Sequence, residues 1–378
     1  MPNILSMMMG AAGASSGTAT LWACGVNGSG QLGQGNTTSY SSPVQIGALT
    51  DYSASTDRGK IAGSNNTAAV IKDDGSLWMW GKNSDGQLGK GNTTNTSSPV
   101  KVGSLTDWNY LAYGDFTGCV KTDGTLWMCG NNGDGQLGDG TATKRSSPVQ
   151  IGSLTTWSKL GLGKDAGHAI KTDGTLWGWG RNDSGGAVGD GTTTTRSSPV
   201  QIGALTTWAE VSGGGNYAMS IKTDGTLWGW GKNSLYGNLG VGNQTNYSSP
   251  VQVGSLTDWS KICCGETFAG AIKTDGTLWM WGNGVSGQLG NGTTTEVNTS
   301  PIQVGSLTTW SKLVFPSSVV DAGAIKTDGT LWMWGQNDTG VLGQGNTTDY
   351  SSPVQVGSLA TWVDGAIGEK AFIATTSL

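Results

Sequence analysis

The chain has 378 residues, of which 65 are glycine and 18 tryptophan, with only 12% charged and a formal net charge of -5. The acidic balance lacks the basic footprint of a nucleic-acid binder. Glycine alone would suggest a flexible low-complexity chain, but so many tryptophans argue for a packed core.

Residues 1–17 come first and are apolar, with Ile4, Leu5, Met7, Met8 and Met9 close together. The first basic residue is Arg58, so the positive segment that opens a secretory signal is missing. The run is also far short of the roughly 20 residues that span a bilayer, so no membrane insertion is expected. It reads either as a frayed tail or as an arm whose Ile4, Leu5, Met7, Met8 and Met9 dock on a partner protein.

From residue 18 onward the chain repeats. Leu-Trp pairs return at Trp22, Trp78, Trp127, Trp177, Trp228, Trp279 and Trp332, 49 to 56 residues apart. A period of this size belongs to architectures in which one unit cannot bury its apolar face without neighbours. Each unit carries four short segments. The first is a Pro-Val segment beginning at Pro43, Pro99, Pro148, Pro199, Pro250, Pro301 or Pro353, and the second centres on Tyr52, Trp108, Trp157, Trp208, Trp259, Trp310 or Trp362. The third resembles Ala-Ile-Lys and the fourth Leu-Trp-Met-Trp-Gly. β-Branched and aromatic content punctuated by glycine predicts strands. Asp-Gly pairs such as Asp123-Gly124 and Asp173-Gly174 predict a tight hairpin between the third and fourth.

Seven copies of four antiparallel strands predict an all-β, seven-bladed β-propeller over residues 18–378. The first repeat lacks a third strand and the last lacks a fourth. Pairing residues 20–24 with residues 371–375 would therefore close the last blade with the N-terminal strand, three strands coming from the C-terminus and one from the N-terminus.

The pattern Trp-Gly-x-Asn-x-x-Gly-Gln-Leu-Gly-x-Gly over residues 80–91 resembles the signature of the regulator of chromosome condensation (RCC1-like) repeat family, and the resemblance covers residues 18–378. It implies a seven-bladed propeller. The family's functions range over exchange factors for small GTPases, ligase-associated modules, inhibitors and binding scaffolds, so the fold does not fix the activity. Exchange activity is not carried over, because no insertion is long enough for a wedge.

His168 is the only histidine. It therefore cannot build a multi-histidine metal site, and it is read as a blade-packing residue rather than a catalytic base. Five cysteines without paired spacing suggest no disulfide framework, as in a chain made in a reducing cytoplasm. Cys24 and Cys129 stand where other repeats have Trp80, Trp179, Trp230, Trp281 or Trp334, and so are expected to be buried. The Asp-rich turns explain most carboxylates. The glycine loops lack the following helix and Gly-Lys-Ser/Thr of a phosphate loop. No cofactor and no enzyme activity are expected.

In an antiparallel meander, the nearly constant Gly-Ser-Leu-Thr and Thr-Asp-Gly-Thr loops share one face, and the variable loops share the other. On the variable face Tyr40, Arg145, Arg196, Tyr247 and Tyr350 precede the Pro-Val strands. Tyr and Arg are residue types favoured as interface anchors, so these positions read as partner contacts or as rim residues covering a blade edge. An apolar arm before a regular acidic propeller also looks like virion components of marine bacteriophages. That resemblance implies a capsid or tail protein as partner, a virion location after synthesis in a host cytoplasm, and a variable face open to a host surface glycan or receptor. The alternatives are a cytosolic regulatory propeller of the GTPase exchange-factor type and a bacterial surface adhesin.

Overall fold

Each blade grows from its Asp-Gly turn. Gly174 takes φ +77°, and Asp173 Oδ1 accepts from the backbone N–H and the hydroxyl of Thr175 at 3.0 and 2.7 Å, which stiffens the hairpin. The strands on either side, Ala166–Lys171 and Leu176–Gly180, pair antiparallel with Ala169 opposite Trp177. Trp157–Leu162 flanks the first and Arg196–Gln201 flanks the second, completing a four-stranded sheet. The computed structural model describes residues 19–48, 51–52, 59–64, 66–294, 297–315, 320–368 and 370–377, and within them this sheet occurs seven times. The fold is an all-β, seven-bladed propeller. Among the described residues no helix is long and apolar enough to cross a membrane.

The strands that begin at tryptophan, such as Trp157–Leu162 and Trp208–Gly213, pack on their counterparts in neighbouring blades and line the axis. The proline-containing strands lie at the outer edge. A proline there withholds an N–H from the open ladder and makes the edge a poor template for another chain.

Closure pairs Ala19–Gly25 with Ala371–Ser377, placing Thr20 opposite Thr376 and Cys24 opposite Phe372. The division of the closing blade differs from the expected three strands plus one. Tyr40–Gln45 joins the same sheet, with Gln45 opposite Trp22, and Trp362–Ile367 completes it, so each end of the chain supplies two strands. The reason is local: the Pro-Val strand pairs with the Leu-Trp strand before it. The Gly-Ser-Leu-Thr loop then carries the chain to the axis of the next blade.

Contacts between blades account for the signature sequence. Trp179 Nε1–H donates to Gln136 O in the preceding blade at 2.8 Å, and Trp80, Trp281 and Trp334 do the same to Gln31 O, Asn238 O and Gln288 O. Cys24 and Cys129 are buried at this position, and their thiols point at Val341 O and Gln87 O, the acceptors that tryptophan would use. Asn83, wholly buried, organises the long loop: its Oδ1 accepts from Leu88 N–H, and its Nδ2 donates to Asn92 O and Thr94 O. Gly86, at φ +80°, lets that loop lie on the next blade's outer strand. A Cβ there would come within 2.5 Å of Ser146 Cα.

Candidate functional site

The arm residues Ile4, Leu5, Met7, Met8 and Met9 lie outside the described residues. Tyr40, Arg145, Arg196, Tyr247 and Tyr350 each begin an outermost strand and are half-buried. Arg145 Nε donates to Asp139 Oδ2 at 2.8 Å and Arg196 Nε to Asp190 Oδ2 at 2.7 Å. Tyr247 and Tyr350 hydroxyls accept from Asn243 and Asn346 Nδ2, both at 3.1 Å, and Tyr40 packs on the apolar cluster of the closing blade. These five residues stand one to a blade around the rim. Four of them fasten their own loops, and the fold does not gather the five into one site.

His168 is 1% exposed, with Nε2 2.9 Å from Ala187 O and its ring edge-on to Trp230. Burial pulls its pKa down to about 4, so the imidazole is neutral at pH 7 and packs the blade, as the sequence suggests. All five cysteines are buried thiols outside any disulfide. Burial pushes the Cys24 and Cys129 thiols up to about 12, which leaves them protonated and poor nucleophiles. Among the described residues no group of three His, Cys, Asp or Glu side chains could hold a metal ion.

The lysine of each Lys-Thr-Asp-Gly turn is held between two aromatic rings. Lys171 Nζ lies 4.9 Å from the Trp157 ring and 3.6 Å from the Trp177 ring. The arrangement recurs at Lys72, Lys121, Lys222, Lys273 and Lys326. Such cation–π contacts favour a cation in a place that otherwise disfavours it. Lys72, Lys121 and Lys273 also pair with Asp51, Asp107 and Asp258. Threonine occupies that place in three other blades, at Thr156, Thr207 and Thr309, and there burial lowers the pKa of Lys171, Lys222 and Lys326. These lysines are structural.

A second set of charges converges on the axis. The inner strands share one register, so Lys60, Tyr110, Lys159, Glu210, Lys261, Lys312 and Asp364 lie at one level around the channel. Lys159 pairs with Glu210 at 2.5 Å and Lys312 with Asp364 at 2.8 Å. Lys60 Nζ donates to Asn109 O at 2.7 Å. Lys261 is exposed and makes no ion pair among the described residues. Lys60, Tyr110, Lys159, Glu210, Lys261 and Lys312 line a cavity of about 680 Å3 that opens on the face of the constant loops, and the buried Asp364 lies beneath it.

Deeper in, the channel narrows to about 80 Å3 between Ile61, Ala62, Leu111, Leu162 and Val211. The inner strands approach so closely there that a Cβ on Gly213 would lie 2.4 Å from Gly163 N. At the far mouth, on the variable face, Asp115, Lys164 and Glu266 meet. Lys164 pairs with Glu266 at 3.0 Å, and burial, aided by Asp165, raises the Asp115 pKa to about 6. The channel is thus cationic at one end and acidic at the other. In six blades the residues at the cationic end stand two places after the blade's first tryptophan, a position that is charged in five of them and Tyr110 in the sixth.

Residues 8–324 match the RCC1-like domain, and residues 328–373 match the Regulator of chromosome condensation (RCC1) repeat. The RCC1 domain-containing protein RUG3, mitochondrial, of Arabidopsis thaliana is 36% identical over 168 residues, 43% of this chain and 37% of that protein. The Ultraviolet-B receptor UVR8 of Arabidopsis thaliana is 29% identical over 335 residues, 86% of this chain and 63% of that protein. The chain spans less than two thirds of either relative. Among solved structures, human WBSCR16 superposes with a TM-score of 0.80 at 20% identity, covering 96% of this chain and 99% of its own. Prp20p from Saccharomyces cerevisiae, a structure described with its binding to Gsp1p and histones, gives 0.79 at 17% identity, covering 96% and 93%. Both show the same fold. With its blades, its signature loops and a match across most of its length, the chain belongs to the RCC1-like domain family.

Proposed function

We propose that this chain is a non-enzymatic binding propeller of a bacteriophage particle, a capsid decoration or tail-associated protein held by residues 1–17. The observation that carries the reading is that the seven blades each reach four strands within the described residues from Ala19 to Ser377, so the propeller is complete on those residues. The apolar residues that precede the repeats in the sequence would then serve a partner. Burying Ile4, Leu5, Met7, Met8 and Met9 against a capsid or tail protein is worth roughly 1.5–3 kcal/mol each before ordering costs. Five buried cysteines outside any disulfide support synthesis in a reducing host cytoplasm. The variable face would then meet solvent, a neighbouring subunit, or a host surface glycan or receptor.

Mass spectrometry of purified particles tests the setting, and absence of the intact chain from them would overturn it. A variant starting at Ser16 should keep its melting curve yet fail to join the particle, as should the double variant Met7→Asp, Met8→Asp. Incorporation at the intact level would sink the anchoring role. The second reading is a cytosolic regulatory propeller. It is favoured by the likeness to Ultraviolet-B receptor UVR8 along 86% of the chain, and it predicts recovery with a soluble host protein instead.

A further inference from the structure

We propose that the channel mouth on the constant face is a binding site for a small, multiply charged oxyanion of the phosphorylated or polycarboxylate class. One register position in all seven inner strands brings four lysines and two carboxylates to a single level around the axis. Two of the lysines, Lys159 and Lys312, are matched by Glu210 and Asp364. Lys261 faces the cavity exposed and without an ion pair among the described residues. Converging like charges in a concave, low-dielectric mouth focus a positive potential that a bound anion relieves. The cavity, at about 680 Å3, falls within the roughly 300–1,000 Å3 of small-molecule sites. Leu313, Trp362 and Val363 supply an apolar wall beside the lysines.

Two features favour a compact ligand over an acidic polypeptide. Beneath the cavity the inner strands pack backbone to backbone, a Cβ on Gly163 falling 2.3 Å from Gly214 O, and only about 80 Å3 stays open, too little to hold a threaded chain. On the same face, Asp123, Asp173, Asp224, Asp275 and Asp328 are exposed at the turns. They repel an acidic chain lying across the ring and leave its centre open to a small anion.

The proposal does not depend on the arm or on a particle, and it is tested on the full chain by calorimetric titration with sodium tripolyphosphate at low salt. Saturable binding of one anion per chain is expected. Lys261→Ala should weaken it about tenfold, the loss of one charge-assisted contact. Glu210→Gln should tighten it several-fold by releasing Lys159, a change of opposite sign that general surface charge would not single out. Lys370→Ala, exposed on the variable face, should change nothing, and melting curves confirm that each variant folds. The proposal is overturned by absence of saturable binding, by equal effects of Lys261→Ala and Lys370→Ala, or by a hexaglutamate peptide binding more tightly than tripolyphosphate.

Discussion

Two lysine positions in the same blade obey opposite rules. The blade-core position is lysine in six blades, each copy seated between two aromatic rings of its own blade. In the closing blade Thr376 takes the place and bonds Thr20 at 2.6 Å. The channel position is lysine in four blades and Tyr110, Glu210 or Asp364 in the others. A side chain whose partners lie within its own repeat can be repeated without cost. A side chain that meets its own copies at the axis cannot, because seven like charges at one level repel. Repetition is therefore strict where the blade is self-sufficient and broken where the copies face one another.

The largest test of that contrast is at the inter-blade tryptophan. Trp179→Ala opens a cavity and leaves Gln136 O without its donor, and should cost about 3–5 kcal/mol in chemical denaturation. Cys129→Ala, at the same position of the preceding blade, should cost only about 1 kcal/mol, since the structure there already fits a small side chain. Equal losses would mean that the position does not bind the blades together.

His168, which occurs once, and Asp115 on the variable face sharpen the contrast through pH. His168 is held near 4 by burial, against about 6.5 in an unfolded chain. The unfolded state then binds more protons between those values. Its contribution is full above about pH 6.5 and is lost as pH falls towards 4, up to about 3 kcal/mol. Asp115, raised to about 6, acts with the opposite sign: the folded state binds more protons between about 4 and 6, and stability rises as pH falls through that window. His168→Gln should flatten the acid side of a plot of melting temperature against pH. Asp115→Asn should stabilise at pH 7 by about 1–3 kcal/mol.

The lysine sandwiches offer a smaller test. Lys121→Met strands Asp107, whereas Lys171→Met faces Thr156 and removes a cation that burial already disfavours. The first should be the more destabilising by about 1 kcal/mol. An effect of the same size is expected in the channel, where Glu210→Lys adds a fifth lysine to the charged level and removes the partner of Lys159. It should cost about 1 kcal/mol at low salt and recover as salt is added. Insensitivity to salt would show that the ring charges do not interact.

Much of this was legible in the chain. The Asp-Gly hairpins, the seven-fold count and the pairing of the two ends follow from patterns that depend on neighbours in sequence or on an obvious missing strand. Burial of Cys24, Cys129 and His168 followed from the positions they share with other repeats. The phase of the blade was not legible. A repeat reads the same wherever its boundary is drawn, and only the pairing of Tyr40–Gln45 with Ala19–Gly25 fixes it. Arg145 and Arg196 read as partner contacts or as rim residues, and the sequence does not show that Asp139 and Asp190, six residues earlier, fold back to meet them.

By itself the sequence determined the architecture, because period, turn chemistry and core aromatics are properties of one unit copied seven times. The tertiary structure alone decided where charges meet. Successive members of Lys60, Lys159, Lys261 and Lys312 are about 50 to 100 residues apart along the chain, and the four become one site only because closure of the ring brings seven equivalent strands to a common axis.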